Sequence, residues 1–175
     1  MRLIALAGLP GTGKSTLARA LAARLDAPLL DKDAVRAALF RPSEVEHSRA
    51  QDELVMECIH RAVEFLAAQG RVRAVVLDGR TYARRSQVVA LRALAARLGT
   101  PLALLECTAA PALARARLAQ DLARGTHPAA NRTPELHERL RAEAEPIEGP
   151  KLVLATDVEP PEALLARALA FLGVS

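Results

Sequence analysis

Near the start of the chain, Gly8 to Ser15 read GLPGTGKS and are followed by Thr16. The run fits G-x-x-x-x-G-K-[ST], and at this chain's content of Gly, Lys, Ser and Thr such a match arises by chance on the order of once in two thousand. The glycines at 8, 11 and 13 let the backbone turn so that successive N–H groups point inward. The start of the following helix adds positive potential where phosphates would sit. In that arrangement Gly8, Gly11, Thr12, Gly13 and Thr16 border a triphosphate, Lys14 reaches its β- and γ-phosphates, and the Ser15 hydroxyl ligates Mg²⁺. The chain has 21 Arg and only Lys14, Lys32 and Lys151 as Lys. A Lys survives at position 14 because a compact ammonium acts there as a point charge, and the planar fork of Arg does not replace it without refitting the loop. Guanine-specific proteins of this kind add an N-K-x-D segment. Here Lys32 sits in L-D-K-D and Lys151 in G-P-K-L, so ATP is the expected nucleotide.

Further along, Asp31-Lys32-Asp33 is followed by Arg36, one helical turn beyond Asp33 on the same face. Phosphoryl transfer requires a group that accepts or orients the proton of the attacking hydroxyl, together with cations for the transferred charge. Asp33 is the candidate base, and Arg36 would hold the acceptor or neutralise the transition state. The alternative for Asp33 is a helix N-cap, since Asp before a helix is favoured on that ground alone. Asp78 ends an apolar run, Val75-Val76-Leu77, where such an acid lies near the metal or beside the acceptor, or forms a turn with Gly79. Arg80, Arg84 and Arg85 come next and would reach an acidic substrate or solvate a helix face.

A third group is Arg115, Arg117 and Arg124, ahead of the segment GTHPAANRT (Gly125 to Thr133), with Arg132 inside it. A short Arg-bearing lid closing over the nucleotide would exclude water and direct the phosphoryl group to the acceptor. Arg115 and Arg117 are two apart and cannot face the same way on a helix. One of them is expected at the surface. His127 reads as an exposed polar residue of the loop. From Arg80 to Arg141 there are 11 Arg against four acids, a local excess of seven positive charges in a chain whose net charge is +4.

Positioning these groups requires a scaffold. Short apolar runs at Leu3 to Ala7, Pro28 to Leu30, Ala74 to Leu77, Leu102 to Glu106 and Leu152 to Ala155 alternate with longer segments of helical period. The helices are expected at Lys14 to Arg24, Ala34 to Phe40, Gln51 to Ala68, Arg84 to Leu98, Pro111 to Arg124, Pro134 to Ala144 and Pro161 to Leu172, with loops at Arg41 to Arg49 and Gly125 to Thr133. Strands apolar on both faces, separated by helices, predict a three-layer α/β/α fold with a five-stranded, mainly parallel sheet.

The 175 residues suit one domain, and 51% hydrophobic with 25% charged residues excludes disorder as the main state. One Tyr, three Phe and no Trp argue against a single-strand binder built on stacked rings. Cys58 and Cys107 are too far apart for a CxxC metal site and are expected to be reduced, half-buried packing residues. The first apolar run breaks at glycines and no stretch approaches ~18 apolar residues, so a cytoplasmic protein without a membrane span is expected.

The cradle, the D-x-x-R after the second strand, the acid after the third and the Arg-bearing helix occur in one order. In this the chain resembles the P-loop kinases of the polynucleotide-kinase-like, zeta-toxin-like and chloramphenicol-phosphotransferase-like group, over nearly its whole length. The resemblance implies a P-loop NTPase fold with a helical lid at about 112–135. It matches Asp33 to that group's base and Arg36 to its partner. Asp31-x-Asp33 is also similar to the D-x-D of shikimate kinases, which implies Asp31 near Mg²⁺ and Asp33 at the acceptor. The lid of that group reads R-L-x-x-R, which implies Arg117, with Arg115 on the same helix, at the nucleotide. Here Asp121 stands where the second Arg falls. An acid there repels phosphates unless it turns away or pairs with Arg117 or Arg124.

The expected function is thus Mg²⁺-assisted transfer of the γ-phosphate of ATP to a hydroxyl, with Lys14, Asp33, Arg36, Asp78 and Arg117 as catalytic candidates. A small-molecule acceptor is favoured over a polynucleotide 5′ end, because aromatic residues are few and the overall charge is modest. The alternative is a regulatory ATPase that works with a protein partner.

Overall fold

The computed structural model describes residues 1–124 and 133–174. Five strands, β1 (Arg2–Ala7), β2 (Leu29–Asp31), β3 (Ala74–Asp78), β4 (Leu102–Thr108) and β5 (Leu152–Ala155), alternate with α1 (Lys14–Leu25), α2 (Lys32–Leu39), α3 (Arg49–Gln69), α4 (Arg85–Arg97), α5 (Pro111–Arg124), α6 (Pro134–Glu143) and α7 (Pro161–Phe171). The strand order is β2-β3-β1-β4-β5 and every pairing is parallel. The sheet is therefore wholly parallel, as its doubly apolar strands demand.

Alternation along β1 sorts its side chains between two cores. Leu3, Ala5 and Ala7 pack with Val55, Ile59 and Val63 of α3 and Leu91 and Leu94 of α4. Ile4 and Leu6 pack on the other face with Leu17 and Leu21 of α1 and Leu164 and Ala168 of α7. Parallel strands carry their connections to the same edge. The segments after β1, β2 and β3, which hold the cradle, the two acids and Asp78, thus emerge together at the carboxyl ends of the strands.

The long loop expected at Arg41 to Arg49 contains a 3-10 turn at Pro42–Glu44 and ends where Ser48 caps α3. Most of the second expected loop, 125–132 with His127 and Arg132, lies outside the described residues.

The two cysteines differ more than expected. Cys58 is exposed, on the solvent face of α3, whereas Cys107 is buried in β4. Burial pushes the Cys107 thiol up to about 11. A thiol-specific reagent at pH 7.5 is accordingly expected to titrate one cysteine in the native protein and two in denaturant. Fast modification of both in the native state would contradict this packing.

Among the described residues, no helix is long and apolar enough to cross a membrane.

Candidate active site

The cradle leaves β1 through Gly8, whose φ of +129° only glycine adopts with ease, and a Cβ there would lie 2.2 Å from the Cys107 carbonyl oxygen. The Gly8 N–H donates to the Thr81 carbonyl at 3.0 Å, joining the loop to the segment after β3. Thr12 Oγ1 donates to the Leu9 carbonyl at 2.8 Å. Gly13, at φ +79°, starts α1 with no side-chain cap and no acidic residue in the first turn. The amides of that first turn are thus not claimed by a side-chain cap, as an anion site requires. Lys14 is buried, and its Nζ donates to the Leu9 carbonyl at 2.8 Å. Ser15 is half-buried and Thr16 exposed.

A cavity of about 570 Å³ opens beside the loop, lined by Pro10, Lys14 and Ser15, by Lys32, Asp33 and Arg36 of α2, by His47 and the start of α3, by Gly79, Arg80, Thr81, Arg84, Ser86 and Gln87, and by α6. The structure thus brings the cradle lysine and Asp33 to one cavity. Its lining carries seven Lys or Arg side chains and four Asp or Glu side chains, a net positive surface.

At β2 the acids divide their tasks differently from the sequence expectation. α2 begins at Lys32, two residues earlier than expected, and its N-cap is Asp31, whose Oδ1 accepts from the N–H groups of Asp33 at 2.8 Å and Ala34 at 3.4 Å. The cap alternative raised for Asp33 therefore belongs to Asp31. Gly79 makes room for it, because a Cβ there would lie 2.8 Å from Asp31 Oδ1. The metal role expected of Asp31 is correspondingly weakened, since one carboxylate oxygen is already committed to the helix.

Asp33 instead accepts from Arg36 Nη1 at 2.8 Å. Arg36 is only 2% exposed, and its Nη2 also pairs with Asp52 of α3, which in turn pairs with Lys32 at 3.1 Å. Two cations and two carboxylates form one balanced network on the cavity wall. The Arg36 guanidinium is thus held between the Asp33 and Asp52 carboxylates. His47 faces the same network. Desolvation first, and then the Arg36 charge, hold its pKa below the usual value, so its ring is neutral at pH 7.

Asp78 ends β3 in register with Asp31 of β2. It is buried, and neither carboxylate oxygen has a hydrogen-bond partner among the described residues. An unpartnered buried carboxylate is costly, and a cation or ordered water bound to it offsets that cost. Among the described residues, no group of three or more His, Cys, Asp and Glu is arranged to hold a metal ion.

Arg115 and Arg117 face different ways, as their spacing requires. Arg115 pairs with Glu138 at 2.6 Å and joins α5 to α6, which removes it from the expected nucleotide contact. Arg117 turns toward the cradle, where Nη1 donates to Thr156 Oγ1 at 3.0 Å and to the Gly11 carbonyl at 3.4 Å, and Nη2 donates to the Thr156 carbonyl at 3.0 Å. Thr156 Oγ1 donates in turn to the Thr12 carbonyl at 3.0 Å. Arg117 thus braces the loop from outside the cavity. Asp121 pairs with neither Arg117 nor Arg124 among the described residues.

Three residues of this site had no local signal. Asp52 completes the α2 network. His137 is buried on α6 with Nδ1–H donating to the Pro10 carbonyl at 2.9 Å, and it ties that helix to the cradle. Arg139 follows on the same helix and lines the cavity.

Residues 3–147 match a family model described as AAA domain. No curated protein sequence matches the chain significantly. Among solved structures, a protein of Chloroflexus aurantiacus described as a candidate kinase is similar at TM-score 0.77 and 22% identity, covering 97% of each chain. A gluconokinase from Sinorhizobium meliloti is similar at TM-score 0.69 and 21% identity, covering 98% of this chain and 91% of that one. The Mycobacterium tuberculosis APS kinase, in complex with AMPPNP and APS, is similar at TM-score 0.69 and 18% identity, covering 98% and 95%. The fold is that of the P-loop kinases.

Proposed function

We propose, from the premise that the chain belongs to the AAA domain family, that it is an ATP-dependent phosphotransferase acting on the hydroxyl of a small molecule. One observation carries this reading: Lys14 and Ser15 of the cradle and the Asp33 carboxylate line the same cavity. A γ-phosphate held by Lys14 would meet an acceptor hydroxyl whose proton Asp33 accepts as the oxygen attacks phosphorus and the bond to ADP breaks. The cradle amides and Lys14 would take up charge on the phosphates. Arg36 and Asp52 would keep Asp33 in place.

Mg²⁺ favours hard oxygen donors and retains phosphate oxygens and water in most positions. The Ser15 hydroxyl and the orphaned Asp78 carboxylate fit that chemistry better than Asp31. When bound, the ion would neutralise charge on the β- and γ-oxygens. Helices α5 and α6 would form the lid, since α6 lines the cavity and Arg115 fastens it to α5.

The test is a screen with γ-labelled ATP and Mg²⁺ against sugars, sugar acids, nucleosides, antibiotics and 5′-hydroxyl oligonucleotides. Label transferred to a small acceptor, with one ADP per product, is the expected result. Steady ATP hydrolysis stimulated only by a protein, with no labelled acceptor, would establish the regulatory ATPase instead.

A further inference from the structure

We infer that the acceptor carries an anionic group, a carboxylate or a phosphate ester, held by Arg80 and Arg139; this rests on the phosphotransferase reading above. Most cations of the cavity are already answered by acids of its own wall: Arg49 pairs with Glu53 at 2.7 Å and Arg84 with Glu143 at 3.1 Å, while Lys32 and Arg36 share Asp52. Arg80 and Arg139 line the same cavity, and no hydrogen bond or ion pair engages either one among the described residues. Arg80 Nε is moreover shielded from solvent and has no partner. A guanidinium N–H removed from water without an acceptor is costly, and the cost is recovered when an anion enters.

The two come from separate elements. Arg80 lies in the segment after β3, two residues beyond Asp78, and Arg139 lies on α6. Their convergence on the cavity that holds Asp33 therefore reflects tertiary placement and not a run of charge along one solvated helix. Gln87, also on this wall, has a buried side-chain oxygen with no partner. That amide suits a neutral hydroxyl of the ligand. The cavity thus offers a base for one hydroxyl, an amide for another, and two unengaged guanidinium groups for an anion. A small hydroxy acid or sugar phosphate matches that set, and a neutral polyol offers no counter-charge to either guanidinium and leaves the shielded Arg80 Nε–H without an anionic acceptor.

The experiment compares matched acceptors that differ in charge: D-gluconate with sorbitol, D-glycerate with glycerol, and glycerol 3-phosphate with glycerol, in wild type, Arg139→Gln and Arg80→Gln. For the wild type, kcat/KM for the charged member of at least one pair is expected to exceed that of its neutral partner on the order of 10- to 100-fold, the range of a charge-assisted hydrogen bond. The carboxylate and phosphate arms identify which anion is read. Arg139→Gln, exposed on its helix, should erase most of that preference by raising KM for the charged acceptor while the Kd of a nucleotide analogue and the melting temperature stay unchanged. Equal use of neutral and charged acceptors would overturn the inference, as would transfer confined to 5′-hydroxyl oligonucleotides. An equal fall of kcat on every acceptor in Arg139→Gln would also overturn it, because the guanidinium would then serve the transferred phosphate. Absence of transfer to every acceptor in the screen would remove the phosphotransferase reading itself, which is a different result from a wild type that phosphorylates polyols.

Discussion

Replacing Lys14 by Ala is expected to lower phosphoryl transfer by on the order of 10³-fold or more, the scale on which a preorganised group facing developing phosphoryl charge is felt. Lys14 is buried at the start of α1, and its Nζ already lies within the loop, 2.8 Å from the Leu9 carbonyl. Little reorganisation is needed before it meets a phosphate, and in a site shielded from water its charge is screened far less than at the surface. The loss should extend to binding. A nucleotide at 100 times its Kd stabilises a folded protein by about 2.7 kcal/mol, equivalent in a domain of this size to a rise of roughly 5–10 °C in Tm. Wild type should show that rise with ATP and Mg²⁺, and Lys14→Ala should show little of it while its own Tm without nucleotide stays near that of wild type. Lys14→Arg should fail as well, because the loop has no room to refit around a planar fork: Cβ atoms at Gly8 and Gly11 would already lie 2.2 Å from the Cys107 carbonyl oxygen and 2.5 Å from that of Ala114. Activity of Lys14→Ala within tenfold of wild type would show that the cradle is not the phosphate site.

The cradle was legible because its chemistry is contiguous: eight residues carry the turn, the amides and the charge. The sheet was legible for a related reason, since strands covered on both faces keep an apolar signature, and the five runs read from the sequence are the five strands observed. What the sequence concealed depends on boundaries and on neighbours. Placing the start of α2 at Ala34 made Asp33 the natural cap. The true start at Lys32 moves that task to Asp31 and leaves the Asp33 carboxylate beside Arg36, so a shift of two residues decides which of the two acids caps the helix. Asp52 and Arg139 meet the site only through the packing of α3 and α6 around the sheet. In each helix the apolar period reports the buried face and is silent about which polar residue looks into a cavity. His137 is the extreme case. It lies 127 residues from the Pro10 carbonyl that accepts its N–H, and no local pattern links the two.

That division of labour between Asp31 and Asp33 leads to the second large effect. Asp33→Asn should reduce kcat by on the order of 10²- to 10⁴-fold, the contribution of a positioned general base, with a much smaller change in nucleotide affinity. The substitution keeps the shape of the side chain and leaves the Asp31 cap in place, so α2 still begins at Lys32. It also removes one negative charge from the network of Lys32, Arg36, Asp33 and Asp52, and some loss of Tm is expected from Arg36, which is 2% exposed and would keep only Asp52 as its ionic partner. Structural damage and loss of the base are therefore separated by Asp52→Asn. That variant removes the same charge from the same network and unsettles the same arginine, but spares the Asp33 carboxylate. If Asp33 is the base, Asp52→Asn should cost at least tenfold less in kcat at a comparable drop in Tm. If the two variants instead lose activity equally, Asp33 is an anchor for Arg36, and the proton must leave the acceptor by another route.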